Sequence, residues 1–133
     1  MNDVFTYLKE CGTFYLATVE GDQPKVRPFG AVADFEGKLY IVTNNQKDVY
    51  KQMLKNPKIS ISAMHKGTWI RIDAQAVHDD RREARVKMMD DNNGVLSKMY
   101  TVDDNLMEVL YLKNATATIY SFTGEPKVLT FYT

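Results

Sequence analysis

The feature that most restricts this chain is an alternation of apolar and polar residues with a period of two, repeated in short runs that turn residues separate. Phe14, Leu16 and Thr18 alternate with Tyr15, Ala17 and Val19. Ile59, Ile61 and Ala63 alternate with Ser60 and Ser62. Ile70, Ile72, Ala74 and Ala76 alternate with Trp69, Arg71, Asp73, Gln75 and Val77. Successive side chains of a strand point to opposite faces, so each run predicts a strand with one buried face. The punctuation agrees: Glu20-Gly21-Asp22-Gln23, Glu36-Gly37-Lys38 and His65-Lys66-Gly67 are turn sequences. The first two frame strand segments from Lys25 to Phe35 and a strand Leu39–Thr43, which with the first run predict a three-stranded antiparallel meander. Strand character returns at Met107–Leu112 and at Ala115–Phe122, the latter rich in Thr, Ile, Tyr and Phe. After Thr123-Gly124-Glu125-Pro126, Lys127–Thr133 reads as a short extended tail.

Three segments carry helical spacing instead. Asn2 or Asp3 can cap a first helix whose apolar face is Val4, Phe5, Leu8 and Cys11, and Gly12 stops it. Asn45 and Asp48 have capping-box spacing before Val49, Tyr50, Met53 and Leu54, and Asn56-Pro57 ends that run. From Asp79 to about Tyr100 the chain is charged and helical in character. Asp80 and Glu83 can box its start, Val86, Met89, Leu96, Met99 and Tyr100 form a thin apolar stripe, and Asn92-Asn93-Gly94 breaks it in two.

About six short strands with two or three inserted helices predict a mainly β chain that closes, or nearly closes, into a small antiparallel barrel, which removes exposed strand edges. At 133 residues, without a repeat or a linker-like tract, the chain predicts one domain over residues 1–133. The charges balance, 17 Lys and Arg against 17 Asp and Glu, with no basic stripe, so no nucleic-acid partner is expected. No apolar run approaches the ~20 residues that cross a bilayer, so no membrane association is expected. A single cysteine, Cys11, and an N-terminus without a signal-like pattern predict a cytoplasmic setting.

Nucleophilic and metal chemistry find little support. Cys11 lies on an apolar helix face. His65 and His78 stand thirteen residues apart without a cysteine pair to complete a zinc set. The Asp79-Asp80 and Asp90-Asp91 pairs fall at helix ends, where carboxylates are commonly just solvated. What remains is a basic and polar group. Lys25 and Arg27 share one side of their strand, Thr43 and Asn44 end another, and Gln46 and Lys47 open the following helix. Read plainly, these are surface charges and a cap. Read functionally, they are an anion site in which a guanidinium fork, an ammonium, a hydroxyl and helix N-terminal amides suit a phosphate monoester.

The stretch Phe14–Val19, Pro24-Lys25-Val26-Arg27-Pro28-Phe29-Gly30, Leu39-Tyr40-Ile41-Val42-Thr43-Asn44, Lys47 and Asn56-Pro57-Lys58-Ile59-Ser60-Ile61 resembles the flavin-binding split barrels related to pyridoxamine 5′-phosphate oxidase, and within them the small nitroimidazole-resistance-like flavoproteins. The resemblance runs from about Phe5 to Val77. It implies a six-stranded antiparallel split β-barrel and a homodimer with FMN (flavin mononucleotide) at the subunit interface. Arg27 and Lys47 would hold the flavin phosphate, with Thr43 and Asn44 donating beside them. The backbone from Val26 through Pro28, Phe29 and Gly30 would run along the isoalloxazine ring, Tyr40 or Val42 would line the ring or ribityl chain, and Trp69 would cover the flavin of the other subunit. The oxidases proper end in a Trp and an Arg-x-His, and Glu125–Thr133 holds neither, which speaks against vitamin B6 oxidation. The implied activity is an FMN-dependent oxidoreductase acting on a small electron acceptor such as a nitro compound or quinone. The alternative is a non-enzymatic binder of flavin, haem or deazaflavin on the same barrel. The aromatic count, 8 Tyr, 6 Phe and 1 Trp, independently suggests an outer face that a two-fold partner hides.

Overall fold

The computed structural model describes residues 2–131, and of residue 2 the backbone alone. Tyr132 and Thr133, predicted to extend the tail, and the Asn2 side chain, a candidate cap, lie outside the described residues. The elements are α1 (Asn2–Cys11), β1 (Phe14–Glu20), β2 (Gln23–Phe29), β3 (Val32–Phe35), β4 (Lys38–Asn44), α2 (Asp48–Lys55), β5 (Lys58–His65), β6 (Thr68–Asp79), α3 (Arg82–Asp91), a 3-10 turn (Leu96–Lys98), β7 (Met107–Ser121) and β8 (Lys127–Phe131). All the strand pairs are antiparallel, in the order β2-β1-β5-β6-β7-β4-β3, with β8 also paired to β7. The mainly β class with inserted helices is as expected, with eight strands among the described residues where about six were predicted.

The predicted meander does not form. β1 pairs with β2 and β3 pairs with β4, but β2 and β3 stand at opposite ends of the strand order. Two prolines explain β2's place: Pro24 and Pro28 have no N–H to donate, so β2 suits an outer strand. The chain then crosses through Gly30 and Ala31 to the far end. A second difference lies in β7, one continuous strand where two were predicted. It takes one extra residue against β6, between the Asp73–Thr116 and Gln75–Lys113 pairs, and absorbs it at Asn114 with φ +51°.

Two apolar clusters hold the fold. The first fills the inside of the rolled sheet with Leu16, Ile41, Ile61, Ile70, Ile72 and Leu110, closed by Val4 and Leu8 of α1 and Val49 and Met53 of α2. Each such side chain withdrawn from water contributes about 1.5–3 kcal/mol. The second lies on the other face of β3, β4 and β7, where Ala33, Tyr40, Val42 and Val109 pack under Ala84 and Met88 of α3 and Leu96. β4 is thus buried on both faces, with Leu39 and Ile41 in the first cluster and Tyr40 and Val42 in the second.

The helices keep their predicted places but not all their predicted contacts. Val4 and Leu8 anchor α1, and Gly12 ends it with φ +75°. Asp3 sits in the first turn rather than at the cap. Leu54 of α2 is exposed, and Gln52 is buried in its stead. α3 buries Ala84 and Met88, with Val86 and Met89 half-buried, and Met99 is exposed. Neither capping box forms. The N-caps are Lys47 and Arg81, and neither side chain makes a capping hydrogen bond. Asn45 instead donates from Nδ2 to the Asn105 carbonyl (2.7 Å) and to Glu108 Oε2 (2.9 Å). Tertiary partners win over local caps.

Under α3 the buried polar groups are paired. Tyr40 donates its hydroxyl to Asp79 at 2.7 Å, and Arg81 clamps Asp79 (Nη2–Oδ2 2.9 Å) and Glu36 (Nη2–Oε1 2.7 Å). Burial disfavours the Asp79 carboxylate, but hydrogen bonds from Arg81 and Tyr40 outweigh it and hold its pKa at about 2. Burial and the Asp79 charge push the Tyr40 phenol well up. Asn92, buried at the end of α3, donates to the carbonyls of Val32 and Met88 at 2.9 and 3.0 Å.

Candidate functional site

Where the chain crosses from β2 to β3 it leaves a cavity of about 180 Å³ against the end of β4. Pro28, Phe29, Gly30 and Ala31 form one wall. Val42 and Thr43 of β4 form the next, and Lys47 and Val49 at the start of α2 the third. Val95, Leu96, Met99 and Tyr100 close the fourth, and Arg27 reaches in from β2.

Each wall follows from local sequence. The alternation of β2 turns Arg27 to the inner face, opposite Leu16 in register. β4 carries Thr43 at its last turn inward, buried, and its Oγ1 has no hydrogen-bond partner among the described residues. An unpaired buried hydroxyl costs about 1–3 kcal/mol, so one left at a cavity wall points to a partner from outside the chain. The first amides of α2 also lack a side-chain cap, and they carry the positive end of the helix dipole beside Lys47 and Val49. Gly30 does not have a positive φ, and a Cβ placed there would meet nothing closer than the Gly12 carbonyl at 3.9 Å. The chain itself does not require glycine at this wall; close approach of a ligand to the backbone would.

Of the residues singled out in the sequence, Arg27, Pro28, Phe29, Gly30, Val42, Thr43 and Lys47 come together here. Asn44, Tyr40 and Trp69 do not line the cavity. Asn44 donates to the Tyr100 hydroxyl (2.9 Å) and so steadies that wall from behind. Tyr40 shares Val42's face of β4 but lies two residues back along the strand, where its hydroxyl meets Asp79. Trp69 lies on the outer face of β6, stacked on Tyr120 with ring centroids 5.4 Å apart. His65 and His78 are engaged by Glu10 (3.1 Å) and Glu108 (2.9 Å), and no metal-ligand cluster exists among the described residues. Burial raises the Cys11 thiol, as expected of an unreactive one.

Sequence reasoning missed the fourth wall. Of the thin apolar stripe expected at Leu96, Met99 and Tyr100, Leu96 alone is buried, while Val95 and Met99 are exposed at 60% and 61%. Apolar residues just after a chain-breaking Asn-Asn-Gly were the available signal. Arg27's surroundings were missed too. Its Nη1 donates to Thr18 Oγ1 (2.8 Å) and its Nη2 to Gln52 Oε1 (2.9 Å), and burial lowers its pKa while leaving it charged.

A rolled antiparallel sheet with a basic, helix-headed cavity at the end of one strand is the architecture of a split barrel, and comparison with known proteins specifies which. The chain belongs to the pyridoxamine 5′-phosphate oxidase family, whose model matches residues 2–109. A crystal structure of a NimC/NimA family protein from Clostridium acetobutylicum is 50% identical, with a TM-score of 0.95 over 98% of this chain and 92% of that one. General Stress Protein 26 from Bacillus anthracis (17% identity, TM-score 0.76, 97% of each chain) shares the fold. So does a heme binding protein from Mycobacterium smegmatis (15% identity, TM-score 0.71), across 91% of this chain and 53% of that one. No curated protein matches the sequence significantly. No helix among the described residues is long and apolar enough to cross a membrane.

Proposed function

We propose that this chain is an FMN-binding flavoprotein, a single domain that works as an oxidoreductase on a small electron acceptor such as a nitro compound or quinone. The observation that carries the reading is the unpaired Thr43 hydroxyl, set in one cavity with Arg27, Lys47 and the uncapped start of α2. These are donors without enough acceptors, which is what a phosphate monoester supplies. The family commonly binds FMN. Bound flavin would supply the electron transfer. The chain's part is to hold the phosphate with Arg27 and Lys47, to give Thr43 Oγ1 an acceptor, and to seat the ring along the Pro28–Ala31 backbone against Val42. Val95, Met99 and Tyr100 exclude water from that side.

A complete small-molecule pocket encloses roughly 300–1,000 Å³, more than the 180 Å³ enclosed here. One chain therefore covers part of the ligand, and a second copy completes the site. The outer sheet face suits that copy, since Tyr15, Val26, Met64, Phe122 and Val128 are exposed, with Phe122 packed on Trp69 and Met64 paired with it in register. Haem is the less favoured ligand, because neither His65 nor His78 lines the cavity as an axial ligand must.

Arg27→Ala combined with Lys47→Ala is expected to purify folded but without its yellow flavin, read by absorbance and mass spectrometry of the extracted ligand. Full retention of flavin by that double variant overturns the phosphate site. Turnover with NADH or NADPH and a nitroaromatic separates an enzyme from a binder, and a monomer at micromolar concentration by size exclusion overturns the shared cleft.

A further inference from the structure

Arg27 does not stand alone at the cavity. Its Nη1 donates to the Leu16 carbonyl at 3.2 Å and to Thr18 Oγ1 at 2.8 Å, and its Nη2 donates to Gln52 Oε1 at 2.9 Å. Thr18 donates its own proton to the same Gln52 oxygen at 2.5 Å, and Gln52 Nε2 donates to Glu20 Oε2 at 2.9 Å. Thr18 is 1% exposed and Gln52 7%. Neither lines the cavity.

The polarity of this chain of bonds is determined. Glu20 accepts only, so the Gln52 amide must turn its N–H toward Glu20 and its oxygen toward Arg27. Both lone pairs of that oxygen are then used, one by Arg27 and one by Thr18. A neutral amide oxygen fixes the guanidinium without cancelling its charge, whereas a carboxylate at that place would neutralise it. The formal negative charge stays one residue further away, on Glu20.

We propose that Gln52 and Thr18 are positioning residues that hold the Arg27 guanidinium, with its charge uncompensated, at the angle needed to receive the cofactor phosphate. The proposal rests on the reading of Arg27 as a phosphate ligand and adds a second rank of residues behind it. A buried glutamine on the inward face of α2, where Leu54 was expected, thereby has a role beyond packing.

The full-length protein, stripped of bound flavin, is titrated with FMN and with riboflavin, which lacks the phosphate. Gln52→Leu and Thr18→Val are expected to weaken FMN about tenfold, as befits loss of a hydrogen bond to a charged group. Riboflavin affinity should stay within about twofold. Thr18→Ser keeps the hydroxyl and is expected to bind FMN as the natural protein does. Gln52→Glu keeps the acceptor but adds the charge, and is expected to weaken FMN and spare riboflavin. Unchanged FMN affinity in both Gln52→Leu and Thr18→Val overturns the proposal. So does an equal loss of both ligands, the sign of a packing role, or a Thr18→Ser variant as impaired as Thr18→Val. Should Gln52→Leu not fold, the Thr18 pair decides alone. Arg27→Met separates the two layers. If it leaves the FMN-to-riboflavin preference intact, the phosphate reading falls and this proposal with it. If it abolishes the preference while Gln52→Leu does not, only the positioning role falls.

Discussion

The two faces of β4 treat polar groups in opposite ways. On the face under α3, Tyr40 meets Asp79, Asp79 meets Arg81, and Arg81 meets Glu36. At the strand's inward end, three residues further along, Thr43 keeps a buried hydroxyl with no partner among the described residues. The same seven-residue strand thus carries one closed network and one open valence. A closed network stabilises a single packing arrangement, whereas an open valence costs stability until something outside the chain fills it. The contrast distinguishes framework from site by polar pairing and not by face, since Val42, on the face under α3, also lines the cavity.

The largest test of that contrast is Asp79→Ala. It strands the buried Tyr40 hydroxyl and removes the Arg81 clamp, with an expected loss of about 3 kcal/mol. The urea midpoint should fall, while FMN affinity of the folded protein stays within about twofold. A large change in flavin affinity would mean that the two faces are coupled. Acid is the next probe. Asp79 ionises in the folded protein at about 2, below the ordinary aspartate value of 3.8. Its depressed pKa means that its stabilisation is complete above about pH 4 and is lost as the pH falls through 2. Between those limits chemical denaturation should record a decline on the order of 2 kcal/mol, and the decline should be absent from Asp79→Asn. The smallest expected effect has the opposite sign. Thr43→Val removes an unpartnered hydroxyl and should leave the flavin-free protein unchanged or more stable by up to about 1 kcal/mol. It should also weaken FMN about five- to tenfold. Destabilisation of the flavin-free form by that variant would show that the hydroxyl already has a partner.

Much of this architecture is legible in the sequence because it rests on local periodicity. β1, β5 and β6 follow from alternation, and the turn at Lys66-Gly67 from its glycine, and both residues there take positive φ, +47° and +77°. Arg27, Thr43 and Lys47 were singled out together, and one cavity gathers them. What stayed hidden depends on contacts between distant segments. Nothing local tells that β4 pairs with β7 rather than joining β2 through β3. Asn114 disguises one bulged strand as two. Gln52 falls outside the apolar face Val49, Tyr50, Met53 and Leu54, and only the structure shows Thr18, 34 residues away, donating to it. Asn45 reads as a cap until Glu108, 63 residues away, accepts its proton. The cavity's fourth wall shares this property, since a 3-10 turn gives no long period to recognise.

The prolines of β2 have one more effect. N–H groups along a strand point alternately to its two sides, and Pro24 and Pro28 share the alternation that faces away from β1. Between them, Val26 alone can offer a proton on that side. A foreign strand approaching this margin finds little to bond with, so the end of the sheet that frames the cavity is poorly suited to seed fibrils or runaway association.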